Sequence, residues 1–406
     1  MAKQDFNFRQ MLYLVTRRDY ETYFKVSGGR KERNEKKKAM LHEVMDSFDP
    51  NGHCFSNFRV SMVKGNKIYS LNKKTSDINS LILDDFLIRK LCKNISKVYG
   101  IKQANRARII KNIIEILGNN KDVFFFKADI ESFYESIERE EIFKKILDSS
   151  VLSLNSKIIL KQLFKDISVC CPKGLPRGLG ISAVLSELYM KEFDKKIMKF
   201  PGVFYYARYV DDIIIFMLNE PDEVFREKLN DILPKNIRLN ELKTADKMPF
   251  DFLGYNFSKA GKNGNELKIT ISEKKLKKIK EKLIKSFVEF VKTRDEKLLV
   301  DRLLFLTANF PVFGSKQLTT NYDRRGCLHG GNAYNYALIN DFSCLKSLDS
   351  FLYNILFLPS FSRINSTFSA TLKTKLRKYS FYTGYKRRIF RKFDRNRINE
   401  IVRKWN

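Results

Sequence analysis

Tyr209-Val210-Asp211-Asp212 decides how the rest of the chain is read. Two adjacent carboxylates stand between a polar, aromatic approach (Tyr205, Tyr206, Ala207, Arg208) and an apolar, β-branched exit (Ile213, Ile214, Ile215, Phe216). The pattern predicts two short strands meeting at a tight turn with the acids at its tip. Carboxylates held side by side repel by roughly 3 kcal/mol at about 5 Å with an effective dielectric near 20. A bound cation relieves that repulsion. For hard oxygen ligands the expected ion is Mg²⁺, which takes one or two carboxylates together with substrate phosphates, the setting of two-metal nucleotidyl transfer. An Asp-Asp pair in a solvated surface turn needs no ion, so the weight falls on the segments around it.

Three segments follow a fixed order. Upstream, Val123-Phe124-Phe125-Phe126-Lys127-Ala128-Asp129-Ile130 is an apolar strand ending in an acid, and Glu131 to Ile137 turns into a helix. Packing explains Asp129 poorly, because an unpaired buried carboxylate is unfavourable; facing the same ions as Asp211 explains it well. Next comes Gly174-Leu175-Pro176-Arg177-Gly178-Leu179-Gly180-Ile181-Ser182. Its glycines allow backbone to approach a ligand closely, and Ser182 is a candidate cap for a helix from Ala183 to about Lys199. Last, Leu239-Asn240-Glu241-Leu242-Lys243-Thr244 precedes Phe252-Leu253-Gly254-Tyr255.

Taken together, these segments resemble motifs A to E of the reverse transcriptase palm, over roughly residues 100–257. One motif alone is weak; five in order are specific. With Asn105-Arg106-Ala107-Arg108 ahead of the palm, the pattern is most similar to bacterial antiphage-defence reverse transcriptases of the unknown-group and abortive-infection type. The resemblance implies an α+β fold: a right-hand polymerase with fingers, a ferredoxin-like palm built on an antiparallel sheet, a helical thumb and a basic helical C-terminal extension. It implies that Asp129 and Asp211 bridge two Mg²⁺ ions (Mn²⁺ as a substitute), with the Ile130 carbonyl as a further ligand and Asp212 in support. Lys243 matches the lysine that assists the leaving pyrophosphate. Tyr134, five residues after Asp129, matches the steric gate against a ribose 2′-OH, although a core aromatic beside Phe133 satisfies the same count. Arg106, Arg108, Arg177 and Gly178 fall where the family contacts the dNTP, and Phe252, Leu253, Gly254 and Tyr255 where it grips the primer. Two positions depart from the pattern. Arg177 replaces the usual Gln, exchanging a group that accepts hydrogen bonds for a fixed cation, and Ala183 stands where many relatives have Pro.

Composition points the same way. The 406 residues carry 77 basic and 46 acidic side chains, a formal net charge of +31. Such an excess attracts polyanions, and phosphate neutralisation with counterion release makes nucleic acid the expected partner. No apolar run of about 18 residues suggests a membrane span, and Phe6 to Val15 is too polar for a secretory signal. Cys54, Cys92, Cys170, Cys171, Cys327 and Cys344 lack zinc-like spacing and read as reduced, buried thiols of a cytoplasm, a bacterial one if the resemblance holds.

The expected organisation is an N-terminal helical segment (1–60), fingers (61–120), palm (121–257, with 138–170 able to join the fingers), thumb (258–355) and C-terminal extension (356–406). A hairpin is predicted over Val60–Leu71, turning at Lys64-Gly65-Asn66. A turn is predicted at Gly261–Gly264. From Ser272, Leu276, Ile279, Leu283, Phe287 and Phe290 form one helical stripe opposite a lysine-rich face. Tyr322, Arg324, Arg325, Tyr334 and Tyr336 suit stacking on unpaired bases, and a packed helix turn equally. After Thr371, Lys373, Lys375, Arg377, Lys378, Arg387, Arg388, Arg391 and Lys392 alternate with aromatics, which suggests a folded RNA-binding block.

The expected activity is RNA-directed DNA synthesis from dNTPs at a 3′ end. The resemblance adds antiphage defence, a structured non-coding RNA as template or scaffold, a DNA product and, in some relatives, a second polymerase protein; a homo-oligomer is compatible. Three alternatives stay open. One is a template-independent or protein-primed polymerase. Another is a retron or group II intron type enzyme, which the missing signatures disfavour. The third is an inactive RNA-binding scaffold, which Asp129, Asp211 and Asp212 disfavour.

Overall fold

The sheet that carries the acids is four-stranded and antiparallel. Strands β3 (Phe124–Ile130), β4 (Val203–Tyr209), β5 (Asp212–Met217) and β6 (Leu239–Glu241) lie in the order β4-β5-β3-β6. Strands β1 (Phe58–Val63) and β2 (Asn66–Leu71) form a separate hairpin, closing Val63 against Asn66 as the turn residues predict. These elements come from a computed structural model describing residues 4–16, 19–24, 29–46, 48–63, 65–72, 77–119, 123–241, 248–260, 266–311 and 329–405. Lys243, Tyr322, Arg324, Arg325, Cys327 and the predicted turn at Gly261–Gly264 lie outside the described residues.

Alternation along the central strands sorts the sheet into two faces. Phe126, Ala128 and Ile130 of β3 join Ile213 and Ile215 of β5 in one core. The helices Ile78–Val98, Leu154–Ile167 and Gly180–Ile197 bury Leu87, Leu91, Leu160 and Leu185 in that same core. The opposite face takes the register pairs Phe125 with Phe216, Lys127 with Ile214, and Asp129 with Asp212. The acids therefore end the face turned away from the helices. Helix Gly180–Ile197 begins earlier than expected. Leu179 is its N-cap residue, and Ser182 lies inside it, its buried hydroxyl donating to the Pro176 carbonyl at 2.7 Å.

The chain divides into two compact units, Met1–Asn105 with Val123–Asp246, and Arg106–Asp122 with Lys247–Asn406. The sheet just described belongs to the first. The second holds an antiparallel sheet of β7 (Phe250–Phe252), β8 (Tyr255–Ala260) and β9 (Glu266–Ile271). It also holds helix Arg106–Asn119, which the sequence reading groups with the fingers. Here the long helix Glu273–Thr293 buries Leu276, Leu283, Phe287 and Phe290, as its stripe predicts, with Lys274, Lys277, Lys278 and Lys285 exposed. Ser272 occupies its N-cap position, but its side chain makes no capping bond.

The C-terminal block is folded into this unit. Helices Ala370–Arg377, Phe381–Lys386 and Arg395–Val402 bury Leu372, Leu376, Phe381 and Ile401. The Trp405 indole donates to the Ser286 hydroxyl of the long helix at 3.0 Å. Buried Arg302, on helix Glu296–Thr307, donates Nε–H to the Ile401 carbonyl at 3.1 Å. The segment around Phe390 adds backbone bonds to β10 (Asn309–Pro311), Asn309 N to Ile389 O at 2.7 Å and Arg391 N to Asn309 O at 2.8 Å. Strand β10 pairs in turn with β11 (His329–Gly331). Among the described residues no helix is long and apolar enough to cross a membrane, and Cys54, Cys92, Cys170, Cys171 and Cys344 are free thiols.

Candidate active site

Asp129 and Asp212 sit directly opposite each other across the β3–β5 ladder, and Asp211 is the second residue of the two-residue turn that joins β4 to β5. The Ile130 amide donates to the Asp211 carbonyl at 3.0 Å, tying the turn to the end of β3. Three acidic residues thus lie at one end of adjacent strands. Their oxygens are the kind of ligand that Mg²⁺ and Mn²⁺ take. Among the described residues, however, no three His, Cys, Asp or Glu side chains are gathered into a ready-made ion cage, and Asp129 and Asp212 each have other polar interactions. The set fits a hard cation in the kind of ligand it offers, without a preformed cluster.

The turn is strained. Val210 has φ of 62°, in the left-handed region, where a β-branched residue is a genuine outlier. One buried arginine holds it. Arg208 Nη1 donates to the Val210 carbonyl at 3.0 Å. The same guanidinium grips Glu187 (Nη1 3.2 Å, Nη2 2.8 Å) and Asp194 (Nε 3.0 Å, Nη2 2.8 Å), both on helix Gly180–Ile197. Its five N–H donors match these five bonds. Tyr206 completes the network, its hydroxyl donating to Asp194 at 2.6 Å. Burial works against the charge on Arg208, but Asp194 and Glu187 outweigh it and hold the guanidinium above its ordinary value. Burial pushes the Glu187 carboxyl up, and Arg208 pulls against that shift. Sequence reasoning placed Arg208 only as a flank of the acid pair. The usable signal was a cation on the face of β4 that alternation assigns to the core, with Glu187 and Asp194 two helical turns apart.

Tyr134 is half-buried beside this turn. Burial pushes its phenol up, a hydrogen bond with Ser186 opposes that, and the negative charge of Asp211 adds to it. The ring therefore lies close enough to the acids to feel their charge. Arg177 caps it, with its guanidinium 5.5 Å from the ring centre. That guanidinium is also paired with Glu135, Nη2 to Oε2 at 2.9 Å and Nε to Oε1 at 3.2 Å. The cation expected against a triphosphate thus has a carboxylate partner in this structure.

The two loop glycines serve packing. A Cβ on Gly178 (φ +105°) would stand 2.7 Å from the Tyr69 carbonyl and 2.8 Å from Ile68 Cγ2. The Tyr69 amide donates to the Arg177 carbonyl at 2.7 Å. Gly178 therefore lets the loop close against the β1–β2 hairpin. A Cβ on Gly174 would likewise meet the Tyr134 carbonyl at 2.6 Å.

In the second unit, Leu253 (φ 47°) and Gly254 (φ 83°) form the two-residue turn between β7 and β8, a left-handed pair of the kind tight hairpins use. Phe252 and Tyr255 flank it, each 3 % exposed. The expected primer grip thus presents its backbone turn, while its two aromatics pack inward. Arg106 holds this turn. Its Nε and Nη2 both donate to the Leu253 carbonyl, at 3.0 and 2.6 Å, and Nη1 donates to the Asn335 carbonyl at 2.6 Å. Its guanidinium also lies over the rings of Tyr255 (5.0 Å) and Tyr336 (5.6 Å). The fork of Arg106 is thus engaged by backbone carbonyls. Arg108 is exposed on the same helix. Tyr336 is a packed core residue, 9 % exposed, not a stacking platform. In the C-terminal block Lys375, Arg377, Lys378, Arg387, Arg388, Arg391 and Lys392 are exposed and Lys373 is half-buried.

Residues 68–257 match the family model described as reverse transcriptase (RNA-dependent DNA polymerase). This stretch is a reverse transcriptase domain. The domain contains Asp129, Asp211, Asp212, Tyr134 and both arginine-held turns, and the family it matches is one of RNA-dependent DNA polymerases. Similar solved structures include telomerase from Candida albicans in complex with a TWJ fragment of telomeric RNA, at 12% identity and a TM-score of 0.34, covering 79% of this chain and 63% of that one. Apo telomerase from Candida tropicalis is similar at 12% identity and a TM-score of 0.37, covering 93% of this chain and 70% of that one. The chain thus spans less than two thirds of the first of these. No curated protein matches it.

Proposed function

We propose that the chain extends a nucleic-acid 3′ end with dNTPs, copying RNA into DNA. The observation that carries this is the register pair Asp129–Asp212 with Asp211 in the adjoining turn, inside a reverse transcriptase domain. Two Mg²⁺ ions on these carboxylates, with Mn²⁺ as a substitute, would supply Lewis-acid activation of the 3′-OH and charge neutralisation at the triphosphate. The chain's own residues do the positioning. Arg208 fixes the turn that carries Asp211, and Tyr134 stands beside it where a ribose 2′-OH would collide. Arg106 holds the turn expected to meet the primer end. Lys243 is assigned to the leaving pyrophosphate on resemblance alone. Positioning of this kind is a major part of catalysis of phosphoryl-type transfers.

The biological role we assign is antiphage defence in a bacterial cytoplasm, with a structured non-coding RNA as template or scaffold and a second polymerase protein as a compatible partner. The support is the motif resemblance, the net charge of +31 and the folded basic C-terminal block. The test is primer extension by the purified chain on an RNA template with dNTPs and Mg²⁺, alongside sequencing of co-purifying RNA and DNA. Extension that is template-directed and lost in Asp211→Ala/Asp212→Ala supports the reading. Equal incorporation by the folded double variant overturns it.

A further inference from the structure

A cavity of about 340 Å³ opens between helix Glu296–Thr307 and the segment Arg391–Arg397. It lies at the small end of the range in which proteins hold ligands, roughly 300–1,000 Å³. Its wall carries the cations Lys297, Arg391, Lys392 and Arg397 against the carboxylates Asp301 and Asp394, with Phe393 on its apolar side. The balance is positive. Lys297, Arg391 and Lys392 are exposed, and among the described residues no carboxylate pairs with them. The segment is not a loose tail, because its backbone is tied to Asn309 through the Arg391 amide at 2.8 Å.

Arg397 differs from the other three. Its Nε donates to Asp301 at 2.7 Å and its Nη1 to Glu400 at 2.6 Å. These two acids set the orientation of the guanidinium. Its Nη2 is buried and has no hydrogen-bond partner among the described residues. A charged donor left unpaired is unfavourable, so the Arg397 guanidinium has bonding capacity unfilled at the edge of a cavity whose open cations are Lys297, Arg391 and Lys392. A planar fork held in place is the arrangement suited to phosphate. The cavity is too small for a duplex, and it has an aromatic wall of the kind on which single bases stack.

We infer that this cavity binds one nucleotide unit of a single RNA strand, its phosphate on Arg397, Lys297 and Lys392 and its base against Phe393. The inference rests on the reading that the chain works on RNA, and it localises that contact to a site some way along the chain from the acids. The chemistry it recognises, a phosphate with an attached nucleoside, is shared by RNA and by free nucleotides, so the test separates the two.

A fluorescent, unstructured RNA oligonucleotide is titrated against the full chain from 50 to 300 mM salt. Lys297→Gln/Lys392→Gln removes two exposed cations without touching the packing. The expected result is a fall in the slope of log affinity against log salt of about 0.7 per lost phosphate contact, hence about 1.4 for the pair, and binding weakened about tenfold at the lowest salt. Arg397→Gln should weaken RNA binding similarly, with Arg397→Lys restoring the slope but not the full affinity. An unchanged slope in the folded double variant overturns the proposal. So does calorimetric binding of inorganic phosphate or dATP that the variants weaken while their RNA binding is unchanged, which marks a free-anion site. Primer extension is measured in parallel. A chain that shows the slope change but never extends a primer refutes the polymerase reading and leaves the pocket standing; extension with an unchanged slope does the reverse.

Discussion

Arg208→Lys separates holding the catalytic turn from holding the fold. Arg208 presents five donors, and Glu187, Asp194 and the Val210 carbonyl receive all five hydrogen bonds. Lysine keeps the charge but has three donors on one nitrogen and no planar fork, so it cannot make the five bonds that hold both carboxylates and the carbonyl at once. A hydrogen bond from a charged donor contributes about 1.5–3 kcal/mol. A non-glycine residue held left-handed costs about 1–3 kcal/mol. The two are of equal size, so without the bond Val210 loses what keeps it at φ 62°, and Asp211 moves with it. At 1.36 kcal/mol per decade, kcat in primer extension should fall about 10- to 100-fold, with KM for dNTP little changed. The assay is steady-state extension on a fixed primer–template, beside a thermal melt of the same sample. Wild-type kcat in a folded Arg208→Lys chain refutes the clamp. So does a loss that merely tracks the folded fraction.

Arg208→Met removes the charge as well and leaves Glu187 and Asp194 without their cation, which for a buried pair costs about 3–5 kcal/mol. The deficit should depend on pH, and its sign is set by Glu187. Burial already raises this carboxyl, and Arg208 is the main influence lowering it. Without Arg208 the group binds its proton at higher pH in the folded state than in the unfolded one. The native state then holds more protons across that window, so stability falls as pH rises through it. Arg208→Met should therefore be closest to wild type in mildly acidic buffer and furthest from it above neutrality. Urea midpoints at several pH values check this; a pH-independent gap contradicts it.

Three further outcomes follow from the same geometry. Tyr134→Ala should lower the selectivity for dNTP over rNTP at least several-fold in an otherwise active chain, measured by single-nucleotide incorporation; an unchanged ratio makes Tyr134 a packing residue. Gly178→Ala forces a Cβ to within 2.7 Å of the Tyr69 carbonyl at a φ of +105° and should destabilise by about 1–3 kcal/mol, read from the urea midpoint; full stability would show that the β1–β2 hairpin does not rest on this loop. Trp405→Ala removes a buried ring and its bond to Ser286 and should cost about 3–5 kcal/mol in the unit that holds it, seen as early hydrogen exchange along helix Glu273–Thr293; unaltered exchange would mean that the C-terminal block does not support that helix.

Local pattern announced the parts of this site that are contiguous in the chain. The alternation around Asp211 predicted the β4–β5 turn, the apolar run ahead of Asp129 predicted β3, and the stripe from Leu276 to Phe290 predicted the long helix, because each is a short-range consequence of strand or helix periodicity. What the pattern could not announce was which long-range partner would claim each arginine. Arg106, Arg177 and Arg208 look alike in sequence, and resemblance placed the first two against substrate. In the fold, Arg106 meets the Leu253 carbonyl 147 residues away, Arg177 meets Glu135, and Arg208 meets Glu187 and Asp194. The reason is physical: an arginine's role is set by the acceptors that tertiary structure brings to its fork. Val210 and Leu253, apolar residues held left-handed, each have the carbonyl gripped by an arginine. Neither turn has the Asn-Gly or Asp-Gly pair that would adopt it without help. In each, an arginine from elsewhere supplies the hold that the local sequence lacks, so a reader of the local sequence sees only half of the device.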